Sequence, residues 1–98
     1  MTADPVEQVR AFLKSSFAKH GIGEWLEPGV LYGFRIDAPS PDGRPRYWLA
    51  ISVEALSDVG FDLAGQLTDQ LADAMRSVGT SRQMVLVTKH GWKRRPVG

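Results

Sequence analysis

Two stretches with strict period-two patterning, separated by a run crowded with proline and glycine, restrict this chain more than any other feature. In residues 30–37, Val30, Tyr32, Phe34 and Ile36 fall on one side of an extended backbone and Leu31, Gly33, Arg35 and Asp37 on the other. In residues 46–53 the sides are Tyr47, Leu49, Ile51 and Val53 against Arg46, Trp48, Ala50 and Ser52. The intervening residues 39–45, Pro-Ser-Pro-Asp-Gly-Arg-Pro, suit a hairpin loop longer than the minimal type. A one-residue slip would turn every core side chain outward, so paired positions must have an odd sum. A sum of 83 sets Phe34 opposite Leu49, Tyr32 opposite Ile51, Asp37 opposite Arg46 and Arg35 opposite Trp48; a sum of 85 also satisfies the parity.

Helical signals flank this hairpin. Asp4-Pro5-Val6-Glu7 combines a cap, a first-turn proline and a glutamate able to reach back, and Val6, Val9, Phe12 or Leu13, and Phe17 follow at three- and four-residue steps. This predicts a helix over residues 5–19, ended by Lys19, His20 and a left-handed Gly21. Residues 62–78 carry Ala64, Leu67, Leu71, Ala74, Met75 and Val78 at helical spacing and predict a second helix, closed by Gly79. Residues 83–88, Gln-Met-Val-Leu-Val-Thr, read as a strand covered on both sides. The expected fold is α+β in the order α-β-β-α-β. Its three-stranded mixed sheet joins the antiparallel hairpin to a parallel strand through a right-handed crossover, with both helices on the Tyr32/Phe34/Leu49 face.

At 98 residues, with 43% hydrophobic and 23% charged residues, the chain has the size and composition of one globular domain. Residues 1–88 are expected to form it, with residues 89–98 as a basic tail. The net charge of +1 conceals a division after Val78. All 11 acidic residues and seven basic ones precede that point, whereas Arg82, Lys89, Lys93, Arg94 and Arg95 follow it without a single acid. The absence of cysteine excludes disulfides, thiolate metal sites and cysteine nucleophiles. The first residues lack the pattern of a secretory signal, and no stretch has the length of a membrane span, so a cytoplasmic protein without membrane contact is expected.

Catalytic and metal-binding patterns are scarce. Gly21-x-Gly23 follows a helix, and Leu26 stands where a third glycine of a dinucleotide loop would fall. His20 and His90 are far apart and belong to no ligand-spaced cluster, and no serine lies in a nucleophile-elbow context. Asp62, Asp69 and Asp73 form an acidic stripe whose ordinary reading is a solvated helix face. The sequence therefore points to no catalytic residue, no metal and no cofactor. It points instead to a protein-interaction module that self-associates or binds a protein partner through the uncovered sheet face, where Leu31, Arg35, Trp48 and Ala50 are expected to be exposed. The alternative is nucleic-acid binding by Lys89, Trp92, Lys93, Arg94 and Arg95, assisted by Arg44 and Arg46. An enzyme ranks third.

Overall fold

The computed structural model describes residues 4–42, 44–79 and 81–97; Gly43 of the expected hairpin loop and Gly98 of the expected tail lie outside the described residues. Its elements are α1 (Pro5–Ser16), β1 (Gly21–Glu27), β2 (Leu31–Asp37), β3 (Arg46–Ser52), α2 (Val53–Ser57), α3 (Leu63–Gln66), α4 (Asp69–Gly79), β4 (Gln83–Thr88) and β5 (Gly91–Pro96). The five strands lie in the sheet in chain order. The expected three-stranded sheet is therefore incorrect: it lacks a strand at each edge. Residues 21–27, which the sequence patterns assigned to no element, form β1, and most of the segment read as a basic tail is β5.

The inner part of the sheet follows the parity argument. Strands β2 and β3 pair antiparallel with Phe34 opposite Leu49, Tyr32 opposite Ile51, Arg35 opposite Trp48 and Asp37 opposite Arg46, the register of sum 83. Strand β4 runs parallel to β3, with Leu49 beside Val85 and Ile51 beside Val87. Helix α1 starts where expected: the Asp4 carboxylate accepts a 2.8 Å hydrogen bond from the Val6 N–H, and proline occupies the first turn. It ends earlier, capped at Phe17, and the left-handed residue is Lys19 with φ 67°, which frees Gly21 to begin β1. The helix expected over residues 62–78 is divided between α3 and α4, and α2 precedes both. Ser52 opens α2 by accepting from the Ala55 N–H, and Asp62 opens α3 by accepting from the Gly65 N–H.

Val9 and Leu13 from α1 and Leu71, Met75 and Val78 from α4 form one buried cluster with Phe34, Ile36, Leu49, Ile51, Val85 and Val87 of the sheet. Both long helices thus cover the same sheet face. Arg76 fastens them to each other: its Nη2 donates to the Ser16 carbonyl at 2.8 Å, and its guanidinium lies 4.7 Å from the centre of the Phe17 ring.

A polar cluster joins α1 to β1. Arg10 donates to both oxygens of Glu24 at 2.8 Å, and the Tyr32 hydroxyl donates to the same carboxylate at 2.5 Å. Hydrogen bonding from Arg10 holds Glu24 below the usual carboxylate range, and donation to Glu24 raises Tyr32. Because the folded state binds the Glu24 proton more weakly than the unfolded chain, this contribution is present above about pH 4 and is lost as pH falls through the folded value. The Tyr32 contribution has the opposite limit: it is present below about pH 10 and disappears as the phenol ionises. Urea midpoints of the wild type are expected to fall at both ends of that window. In Glu24→Gln the midpoint at pH 7 should be lower and its change between pH 7 and pH 3 smaller. An equal acid-side decline in both proteins would refute this assignment.

Candidate functional site

The face opposite the helices is neither flat nor bare. By strand alternation it carries Gly23, Trp25 and Glu27 of β1, Leu31, Gly33 and Arg35 of β2, Trp48 and Ala50 of β3, Met84 and Leu86 of β4, and Lys93 and Arg95 of β5. Leu31, Ala50 and Met84 form the floor of a second apolar cluster, over which Trp25, Trp48, Leu86 and Val97 pack. Leu31 is 1% exposed and Ala50 0%, so their expected exposure is corrected: they support the surface and do not form it. Arg35 is exposed and Trp48 half-buried. Trp25 of β1 and Val97, the residue after β5, join Trp48 in covering this floor, and both belong to segments that the sequence reading did not recognise as strands or their extensions.

Two glycines make that cover possible. Gly33 pairs with Trp25, and a Cβ at Gly33 would lie within the space of the Trp25 ring, so the indole rests across β2 in the place a side chain would take. Gly23 pairs with Arg35, whose Nη2 would lie 3.5 Å from a Cβ built there. Each glycine accepts the large side chain of the opposite strand.

The sheet also coils towards this face. Flat strands about 4.8 Å apart would separate β1 from β5 by roughly 19 Å. Yet Arg95 Nη1 of β5 comes within 3.5 Å of Glu27 Oε2 of β1. The concavity left between the edges is an open groove of about 450 Å³. Trp25, Trp48, Met84 and Val97 supply its apolar lining, with Arg35, Arg95 and Glu27 among the polar residues. Asp37 anchors Arg35 by accepting from its Nε at 3.1 Å, and it also accepts from Arg46 Nε at 2.6 Å.

The residues of the nucleic-acid alternative do not share one surface. Arg44 and Arg46 border Trp48 at one end of the groove, together with Arg82, and Arg95 lines the groove itself. Trp92 and Arg94 alternate onto the helix side of β5, where Trp92 Nε1 donates to Gln66 Oε1 at 3.1 Å. Lys89 lies in the β4–β5 turn and Lys93 on the edge strand. His20 sits beside the Phe17 and Tyr47 rings with Nδ1 3.0 Å from the Ala18 carbonyl, and His90 is exposed in the β4–β5 turn. In the acidic stripe, Asp62 is a helix cap and Asp73 pairs with Arg76 at 3.1 Å. Among the described residues no cluster of three histidine or acidic side chains is placed to hold a metal ion, and no helix is long and apolar enough to cross a membrane.

Comparison of the chain with protein-family models, with curated proteins and with solved structures found no match. The functional reading therefore rests on the geometry of the chain itself. Sequence reasoning singled out Trp48 and Arg35 for this face but not Met84, Val97, Glu27 or Arg82, which line the groove and the recess beside it. The available signal was the pair Gly23-x-Trp25 and Gly33-x-Arg35, in which each glycine can stand opposite the other segment's large residue.

Proposed function

We propose that this chain is a non-catalytic interaction module that takes an apolar side chain of a partner protein into the tryptophan groove, with Arg35 and Arg95 contacting acidic groups beside it. The observation that carries the reading is the concavity. A self-associating sheet would favour a flat, self-complementary face, whereas this face is already half filled by Trp25 and Val97, leaving room for a side chain or a short extended segment. Tryptophan and arginine around a partly desolvated recess are the residue types that dominate contact energies. The titratable lining favours binding over chemistry, because the Glu27 carboxylate lies against Arg95 and Asp37 against Arg35 and Arg46, so neither is placed as a free base.

Selection from a displayed library of random peptides tests the proposal. We expect enrichment of peptides with an aromatic or aliphatic residue next to an acidic one, and at least a tenfold loss of affinity in Trp48→Ala, consistent with removal of a contact hot spot. The proposal fails if nothing is enriched, or if binding is indifferent to Trp48→Ala. It fails equally if light scattering reveals a dimer that Trp48→Ala dissociates, since the face would then be occupied by a second copy.

A further inference from the structure

A second, smaller recess of about 280 Å³ shares Trp48 with the groove and is lined besides by Pro45, Gly79 and three arginines: Arg44 before β3, Arg46 at its start, and Arg82 before β4. Their compensation is incomplete. Asp37 serves both Arg46 and Arg35, while Asp42, held below the usual carboxylate range chiefly by the Arg44 N–H and then by Ser40, acts on the Arg44 guanidinium without forming an ion pair. Arg82 meets no carboxylate among the described residues. Counting Arg35, which lines the adjoining groove and shares Asp37 with Arg46, four guanidiniums meet two carboxylates, an excess of two positive charges across the recess and the groove end beside it.

The backbone fixes Arg82 where it stands. Its φ of 55° is left-handed, a conformation that costs a non-glycine residue on the order of 1 kcal/mol. The Arg82 N–H donates to the Gly79 carbonyl at 3.1 Å, and the Arg82 carbonyl accepts from the Val97 N–H at 3.1 Å, so the residue is held from both sides. Glycine would satisfy this turn at lower cost, and an arginine here places an additional cation at the recess.

We propose that Arg44, Arg46 and Arg82 form a binding site for a phosphoryl group on a side chain of the partner segment, next to the apolar residue that enters the groove. The proposal rests on the groove reading for the identity of the partner, but the anion site has its own test. A phosphoryl group carries close to two negative charges near neutral pH, matching the local excess, and guanidinium forks suit its oxygens. A polyanion fits less well, because the remaining cations of β5 are split between the two faces and make no continuous track along which successive phosphates could lie.

The experiment is calorimetric titration of the full chain with inorganic phosphate and with acetyl-Gly-Phe-Gly-Ser-Gly amide, its serine-to-aspartate analogue and its phosphoserine form. The phosphoserine peptide is expected to bind most tightly and the serine peptide most weakly, with roughly a tenfold step between those two. Arg82→Gly should abolish the step and the phosphate binding, with a Tm equal to or above the wild type because the left-handed residue is relieved. That direction separates loss of the site from loss of the fold. If the serine peptide binds and phosphorylation adds nothing, or the step survives Arg82→Gly, the anion site is overturned while the groove reading stands. If no peptide binds but phosphate saturates the wild type and not Arg82→Gly, the groove reading falls and the anion site remains. Absence of both fails both. A single-stranded oligonucleotide that binds with steep salt dependence and ignores Arg82→Gly would assign the cations to nucleic acid and overturn the proposal.

Discussion

Truncation after Thr88 is expected to abolish the cooperative fold, although the deleted residues include the most cationic run in the sequence. Strand β5 pairs with β4 from Gln83–Pro96 to Thr88–Gly91. Its removal takes Val97 from the second apolar cluster, Trp92 from its hydrogen bond with Gln66, and the Val97 N–H from the Arg82 carbonyl. Val97 is half-buried and Trp92 37% exposed, so their apolar burial corresponds to only about 1–3 kcal/mol, and the loss of the β5 ladder adds to it against a total of roughly 5–15 kcal/mol for an ordinary domain. The strand left at the edge, Gln83–Thr88, is uncharged and rich in β-branched residues, so an exposed ladder there would also promote aggregation. Thermal unfolding followed by circular dichroism, with sedimentation of the same samples, tests the expectation. A truncated chain that melts cooperatively within a few degrees of full length would mean that β5 is dispensable, as a solvated tail would be.

The difference between a tail and a strand indicates where the sequence was legible. The hairpin of β2 and β3 was readable to the exact register because one face is apolar over both strands and a slip would bury Arg35 or Asp37. Strand β4 was readable because its two covered faces demand a continuous apolar run. The edge strands obey neither rule. In β1 the apolar residues divide between the faces, Ile22 and Leu26 on one and Trp25 on the other, and the glycines required by Arg35 and Trp25 resemble loop residues. In β5, Lys93, Arg94 and Arg95 are compatible with a strand because one side of the ladder is open, where cations and a proline also discourage pairing with another chain. Helical periodicity likewise ran across the break at Leu67 and Thr68, since Leu67 packs against the same core as Leu71 on either side of it. A pattern of burial specifies which side chains face inward, and it leaves an interruption in the backbone unmarked.

The candidate site inherits those blind spots. Trp48 and Arg35 lie on readable strands, and the sequence placed them together on one face. Their partners Trp25, Val97 and Arg95 come from the two edges, so the uncovered face expected from three strands becomes a groove only when all five are present. The curl that brings Glu27 to Arg95 is a property of the whole sheet, and no local pattern encodes it. Arg82 was noticed as a charge alone, because its place beside Trp48 depends on the turn that follows α4.

Gly33→Ala tests whether the glycines shape the groove. Strand β2 is extended at this position, so alanine is compatible with the backbone and, in an open strand, would gain roughly 0.5–1 kcal/mol over glycine. Here the added Cβ meets the Trp25 ring, and the ring must leave β2 or push β1 away from it. We expect a net loss of about 1–3 kcal/mol, as in other overpacked sites, together with a red shift of tryptophan emission as Trp25 becomes hydrated. Gly23→Ala is the control: its Cβ would make ordinary contact with the Arg35 guanidinium at 3.5 Å, and stability should stay within roughly 0.5 kcal/mol. Combining Gly33→Ala with Trp25→Ala should cost less than the two single losses added together, because the collision no longer exists once the ring is removed. If Gly33→Ala melts at or above the wild-type temperature with unshifted emission, the indole does not lie across β2. Groove binding should then survive the substitution; if the indole does form the groove wall, the same substitution weakens peptide binding and stability together.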